Sequence, residues 1–99
     1  MIADCKSGVT GAGRQASLDL QFCEVNDGFR AYKVLEHRHT PEMEQELSRV
    51  AREKVVITFT PHLVPVNRGI LTTAHILLNE PMEQKEVEEL YRRFYDKEF

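Results

Sequence analysis

Two imidazoles, a guanidinium and a carboxylate fall within six residues at His37-Arg38-His39-Thr40-Pro41-Glu42, and groups of those types side by side suit proton transfer next to an anion. Thr40 is a good N-cap, because its hydroxyl can accept from an orphan amide of a first helical turn, and Pro41 suits the first helical position, where no amide is needed. Proline disfavours helical geometry in the residue before it, so extended chain is predicted over His37 to Thr40, with helix beginning just after. Two imidazoles one residue apart point the same way only in such extended chain. Beside the positive end of a helix dipole they favour their neutral form and an anionic neighbour. Neutral imidazole in that setting is the equipment of a general base.

A second cluster is glycine-rich. Ser7-Gly8-Val9-Thr10-Gly11-Ala12-Gly13-Arg14 permits positive φ and close approach of backbone amides to a ligand, which is how loops hold a phosphate or a carboxamide. It is not GxxxxGK[ST] and lacks the third glycine of a dinucleotide fingerprint; a plain surface turn explains it about as well. Arg14, Arg38 and Arg68 are candidates for gripping a phosphate or carboxylate with two parallel hydrogen bonds, since each adjoins a glycine loop, a histidine or a turn. Solvated surface charge is the competing reading for each. A zinc site built from His37, His39, His62 and His75 would rest on H-x-H spacing alone, with no cysteine pair behind it, so no metal site is expected. Cys5 and Cys23 form no CxxC pair and read as free thiols.

The elements that must position these groups come from a chain of 99 residues, enough for one modest core. With 41% apolar and 29% charged residues and a formal charge of −3, it is ordinary globular material with no attraction for nucleic acid or an anionic membrane. No apolar run approaches a membrane span and no signal peptide is evident, so a cytoplasmic protein is expected. Ile2 to Val9 reads as a strand entering the glycine loop. Ala16 to Val25 fits helix and extended chain equally, Asn26-Asp27-Gly28 is a turn, and Phe29 to Leu35 is a strand or extended arm.

Glu42 to Glu53 carries the apolar stripe Met43, Leu47, Val50, Ala51 and reads as a helix, with Glu44, Glu46, Arg49 and Arg52 left to solvent. Val55 to Thr60 alternates as a strand with both faces largely covered. Pro61 and Pro65 then break it into a stiff loop ending at Asn67-Arg68-Gly69. Ile70 to Asn79 is a second strand, expected to pair antiparallel with the first. Pro81 to Lys97 is a helix burying Val87, Leu90, Tyr91, Phe94 and Tyr95, with glutamates crowding its N-terminal half. The resulting expectation is an α+β fold, a small, mainly antiparallel sheet covered on one face by two helices.

Three blocks, Lys6-Ser7-Gly8-Val9-Thr10-Gly11-Ala12-Gly13-Arg14, His37-Arg38-His39-Thr40-Pro41-Glu42 and Phe59-Thr60-Pro61-His62-Leu63-Val64-Pro65-Val66-Asn67-Arg68-Gly69-Ile70, resemble the N-acetyl-γ-glutamyl-phosphate reductase family in order and spacing, over essentially the whole chain. The resemblance implies part of a glyceraldehyde-3-phosphate dehydrogenase-like catalytic domain and NADPH-dependent reduction of a small acyl phosphate to an aldehyde in arginine biosynthesis. It assigns His39 as the proton shuttle that partners a nucleophilic cysteine, and leaves His37, Arg38, Arg14 and Arg68 as substrate-side groups. It also places Ser7, Gly8, Gly11, Ala12 and Gly13 near the nicotinamide of NADP. Neither Cys5 nor Cys23 has the family's Gly-Cys-Tyr-Pro context, and no GxGxxG strand-loop-helix is present. Residues 1–99 are therefore expected to be one excised piece of the catalytic and dimerisation domain, without the NADP-binding domain and inactive alone. Self-association through sheet edges or faces is expected. The alternative is a stand-alone module that binds a small anion.

Overall fold

The computed structural model describes residues 1–98. Its centre is β1, Ile2–Ser7, whose alternation puts Ala3, Cys5 and Ser7 on one face and Ile2, Asp4 and Lys6 on the other. A 3-10 turn over Val9–Ala12 follows, then a second over Leu18–Leu20 and a single helical turn α1, Phe22–Val25. The ambiguous stretch thus resolves into short turns, of which Val25 alone is buried. Asp27 takes a left-handed φ of 56° in the expected Asn-Asp-Gly turn.

The arm expected over Phe29 to Leu35 is strand only at β2, Arg30–Ala31. Lys33 and Leu35 then adopt positive φ and Glu36 donates its amide to the Lys33 carbonyl, which closes a turn where extended chain had been expected. Helix α2, Thr40–Ala51, begins with Thr40 inside it. His39 is the N-cap, in right-handed helical geometry at φ −83° and ψ −10°. The predicted Thr40 cap and extended approach are therefore corrected. The amide of Thr40 binds the His37 carbonyl at 3.0 Å and that of Met43 the His39 carbonyl at 2.9 Å, so a turn carries the chain into the helix. Thr40 Oγ1 is buried without a hydrogen-bond partner.

Strand β3 is Thr58–Leu63 and β4 is Ile70–His75. Pro61 does not break β3 but lies fully buried within it. Its carbonyl accepts from Tyr32. A residue's N–H and C=O point to the same side of a strand, so the missing donor faces the two-residue β2 and the ladder to β1 is intact. The order is β2-β3-β1-β4, with β1 parallel to β3 and antiparallel to β4, and β2 antiparallel to β3. The sheet is mixed, and β1 sits between the two strands expected to pair. The long segment holding α2 supplies the crossover that a parallel β1–β3 pair needs.

The core is Ala3, Ile57 and Phe59, with Met43 and Leu47 of α2 packed on it. The rest of the predicted α2 stripe, Val50 and Ala51, is exposed. Glu44, expected in solvent, instead turns inward to accept the Ile57 amide at 3.1 Å, and Ser48 Oγ accepts that of Val55 at 2.9 Å, tying the α2–β3 connection down. Val56 is exposed, so only one face of this stretch is covered. Helix α3, Gln84–Phe94, starts with a reciprocal Glu83–Glu86 capping box. Its apolar stripe does not join the core: Leu90 is 48% and Phe94 76% exposed, and Tyr95 packs on Tyr91 and Phe94 of the helix's own surface. Among the described residues only α2 covers the sheet.

Candidate active site

The strand register gathers one set of side chains on the face that α2 covers. Ala3, Cys5 and Ser7 of β1 lie opposite Phe59, Pro61 and Leu63 of β3 and opposite Ala74, Thr72 and Ile70 of β4. Beyond the part α2 occupies, this face is the floor of a cleft of about 860 Å³. One wall is the glycine segment and another the chain from Arg30 to His39.

Segment His37-Arg38-His39 is held to the floor by aromatic packing. The His37 ring meets Phe59 edge-on at 5.2 Å between centroids, Tyr32 at 5.6 Å and His39 at 5.0 Å. Nδ1 of His37 accepts the backbone amide of His39 at 3.3 Å. A neutral imidazole that accepts at Nδ1 carries its proton on Nε2. Burial, reinforced by the nearby His39, Lys33 and Arg38, pushes the His37 pKa below its ordinary 6.5. His37 is therefore a neutral ring with an oriented Nε2–H donor. His39 is exposed at the mouth of α2 and its ring makes no side-chain hydrogen bond among the described residues, so its nitrogens are open to a ligand or a thiol.

The structure brings together His37, Arg38, His39, Ser7, Gly8, Gly11 and Ala12 along the cleft. Arg14, Gly13 and Arg68 do not line it. The role of Gly8 is partly internal: a Cβ there would lie 2.9 Å from the Arg68 backbone nitrogen, so this glycine lets the Val66–Gly69 turn pack against the loop. The loop's amides are largely engaged. Those of Gly8, Val9 and Thr10 bind the carbonyls of Gly69, Val66 and Asn67, and those of Gly11 and Gly13 bind the carbonyls of Gly8 and Thr10. What the loop offers the cleft is a Gly/Ala surface with few free amides to hold a diphosphate.

The histidines divide between the two sides of the sheet. His62 and His75 stand on the face with Asp4 and Lys6, where Asp4 Oδ1 lies 2.8 Å from Lys6 Nζ and 3.1 Å from His62 Nδ1. Asp4 Oδ1 and His62 Nδ1 are buried and close without a well-directed hydrogen bond between them. The Lys6 ammonium is the chief cause of the lowered Asp4 pKa. The four histidines thus share no site, and no three His, Cys, Asp or Glu groups are placed to hold a metal ion among the described residues.

Sequence reasoning missed Arg30, Tyr32 and Lys33 as cleft residues. Alternation along β3 was the one signal available for Arg30, and it required knowing that Arg30 pairs with Leu63. Cys5 also lines the floor, its Sγ 3.2 Å from Thr72 Oγ1.

A family model described as semialdehyde dehydrogenase, dimerisation domain, matches residues 1–99. An N-acetyl-gamma-glutamyl-phosphate reductase of Syntrophobacter fumaroxidans is 60% identical over 95 residues, covering 96% of this chain and 28% of the relative. A protein of the same name from Lachnoclostridium phytofermentans is 54% identical over 99 residues, 100% of this chain and 29% of the relative. Another from Methanoregula boonei is 58% identical, again over the whole chain and 30% of the relative. The chain thus spans under a third of the length of the curated relatives it matches.

Proposed function

We propose that this chain, which belongs to the semialdehyde dehydrogenase dimerisation-domain family, forms the proton-transfer and substrate-binding side of an N-acetyl-γ-glutamyl-phosphate reductase. The observation that carries the reading is the cleft, where His37, Arg38 and His39 share one concavity with the Ser7 to Ala12 surface. Relatives between 54% and 60% identical that bear the reductase's name support it.

In the proposed reaction, His39 takes the proton from a cysteine thiol contributed by another part of the polypeptide, because an open imidazole at the cleft mouth is the available base. The thiolate attacks the acyl carbon, a C–S bond forms, and the C–O bond to phosphate breaks. Arg38 offsets the charge of the departing phosphate. The Nε2–H of His37 donates to an oxygen of the substrate and stays neutral while doing so. Ser7, Gly8, Gly11 and Ala12 would hold the nicotinamide of a cofactor, which as NADPH would supply the hydride that reduces the thioester. The C–S bond of the reduced adduct then breaks, which releases the aldehyde and leaves the cysteine as a thiolate, and His39 returns the proton to that sulfur.

The Cys5 thiol shares the floor of the cleft and is given no part in this chemistry. Its Sγ is paired with Thr72, and its Asp4-Cys5-Lys6 setting on the central strand lacks the family's cysteine context. Self-association belongs to the same proposal. The sheet face opposite α2 carries exposed Ile2 and Leu71 among polar groups, and a second copy of the domain is its proposed partner.

The test is a kinetic comparison in the intact polypeptide with NADPH and N-acetylglutamyl phosphate. His39→Ala should lower kcat by about 10²- to 10⁴-fold with little change in KM, while Cys5→Ser keeps near-normal turnover. Loss of activity in Cys5→Ser, with His39→Ala unaffected, would reverse the assignment.

A further inference from the structure

We propose that Arg30 is the carboxylate-binding residue of this cleft, fixing the end of the substrate remote from its reacting acyl group. The inference rests on the reading of the cleft as an acyl-phosphate site and adds a residue and a ligand group to it.

Register places the side chain. Arg30 lies directly opposite Leu63 in the antiparallel β2–β3 pair, and directly opposed residues project to the same face. Leu63 is buried on the cleft side, so Arg30 rises there too and lines the cleft. Its Nη2 donates to the Asp19 carbonyl at 2.8 Å. That bond tethers the guanidinium and leaves the rest of its donor fork open.

The two arginines that line the cleft, Arg30 and Arg38, are both without a carboxylate partner among the described residues, and of the two only Arg30 is tethered by a hydrogen bond. Arg49 and Arg92 are paired with Glu46 and Glu89 one turn away on their own helices. Arg30 makes no carboxylate contact among the described residues. Cleft charges are Arg30, Lys33 and Arg38 against Asp19, three minus one, so the cleft is positive before either histidine is counted. A positive concavity with an unpaired, tethered guanidinium selects an oxyanion.

Position then selects which oxyanion. His37 packs on Phe59, whereas Arg30 is level with Leu63, four residues further along β3 and roughly 13 Å at about 3.3 Å per residue. Side chains reaching inward from both ends leave a span suited to a short dianion. The phosphate then leaves at the His39 and Arg38 end, and a carboxylate docks at Arg30. A flat bidentate group matches the guanidinium fork better than a point cation would.

The experiment uses the intact polypeptide and two probes, N-acetylglutamate and the analogue in which its α-carboxylate is a carboxamide. Calorimetry should show the wild type preferring the carboxylate by about 10- to 100-fold, the range for one charge-assisted contact. Arg30→Gln should remove that preference, and Arg30→Lys should restore part of it. With N-acetylglutamyl phosphate, Arg30→Gln should raise KM by a similar factor while kcat and the KM for NADPH stay within a few-fold. An undiminished carboxylate preference in Arg30→Gln, no preference in the wild type, or a rise confined to the KM for NADPH would overturn the proposal. Preference for the carboxylate that depends on Arg30, in a protein that reduces no acyl phosphate, would sustain this inference and remove the reaction proposed above.

Discussion

His37 and His39 carry the same side chain and sit in different settings because their backbones differ. His37 is pinned between Phe59 and Tyr32 with Nδ1 occupied; His39 caps α2 with its ring open. The spacing of the two was legible in the sequence, but the turn that gives their rings different surroundings was not. It depends on Phe59, far along the chain, reaching under His37. The lowered His37 pKa has a stability consequence. Unfolded, the imidazole titrates near 6.5, and the folded state binds that proton less readily, so stability is complete above that value and declines as pH falls through it toward the folded pKa. Urea unfolding of the chain should shift to lower midpoints as pH falls from neutral through 6.5, and His37→Gln should flatten that dependence. A midpoint rising toward acid would show the ring to be stabilised in its charged form. Nitrogen chemical shifts should report the Nε2–H tautomer.

At the scale of elements, β1, α2 and α3 were legible, the two helices from their apolar period, although His39 and not Thr40 is the N-cap of α2. Sheet order was not. Whether β3 pairs with β4 or with β1 is decided by contacts between distant segments, and Pro61 looked like a breaker until its missing donor was found to face the short β2. Two glycines of the 8–13 loop separate packing from permissiveness. Gly8→Ala should destabilise the chain by about 1 to 3 kcal/mol, because its Cβ meets Arg68 backbone at 2.9 Å and backbone gives way poorly. Gly11→Ala should cost far less, since it meets only the Ser7 Oγ at 3.1 Å, which can rotate away. Equal denaturation midpoints for the two would contradict this account of the loop. Glu44→Ala should lose about 1 kcal/mol by stranding the Ile57 amide, and Glu44→Gln, which keeps an acceptor, should lose less.

Taken whole, the molecule has a covered side and an open one. α2 and the cleft share one face of the sheet, while β4 and the aromatic stripe of α3 carry apolar side chains into solvent. The amphipathic period of α3 was legible, but what it packs against was not, because nothing in the chain from 1 to 98 covers it. Exposed apolar surface of this kind promotes association. Sedimentation of the chain should therefore be concentration-dependent, with Leu71→Glu on the sheet face proposed as the contact weakening the association and Phe94→Glu on the stripe weakening it further. Function divides in the same way. The cleft supplies imidazoles, cations and a glycine-lined surface, and under the proposed reaction the thiol and most of the cofactor site would come from other residues of a full-length reductase. The most direct test is one assay run on two proteins, the 99-residue chain and the intact polypeptide that contains it, each given NADPH and N-acetylglutamyl phosphate. The account predicts NADPH oxidation with stoichiometric phosphate release by the intact protein and none by the chain; turnover by the isolated chain, or none by the intact protein, would contradict it.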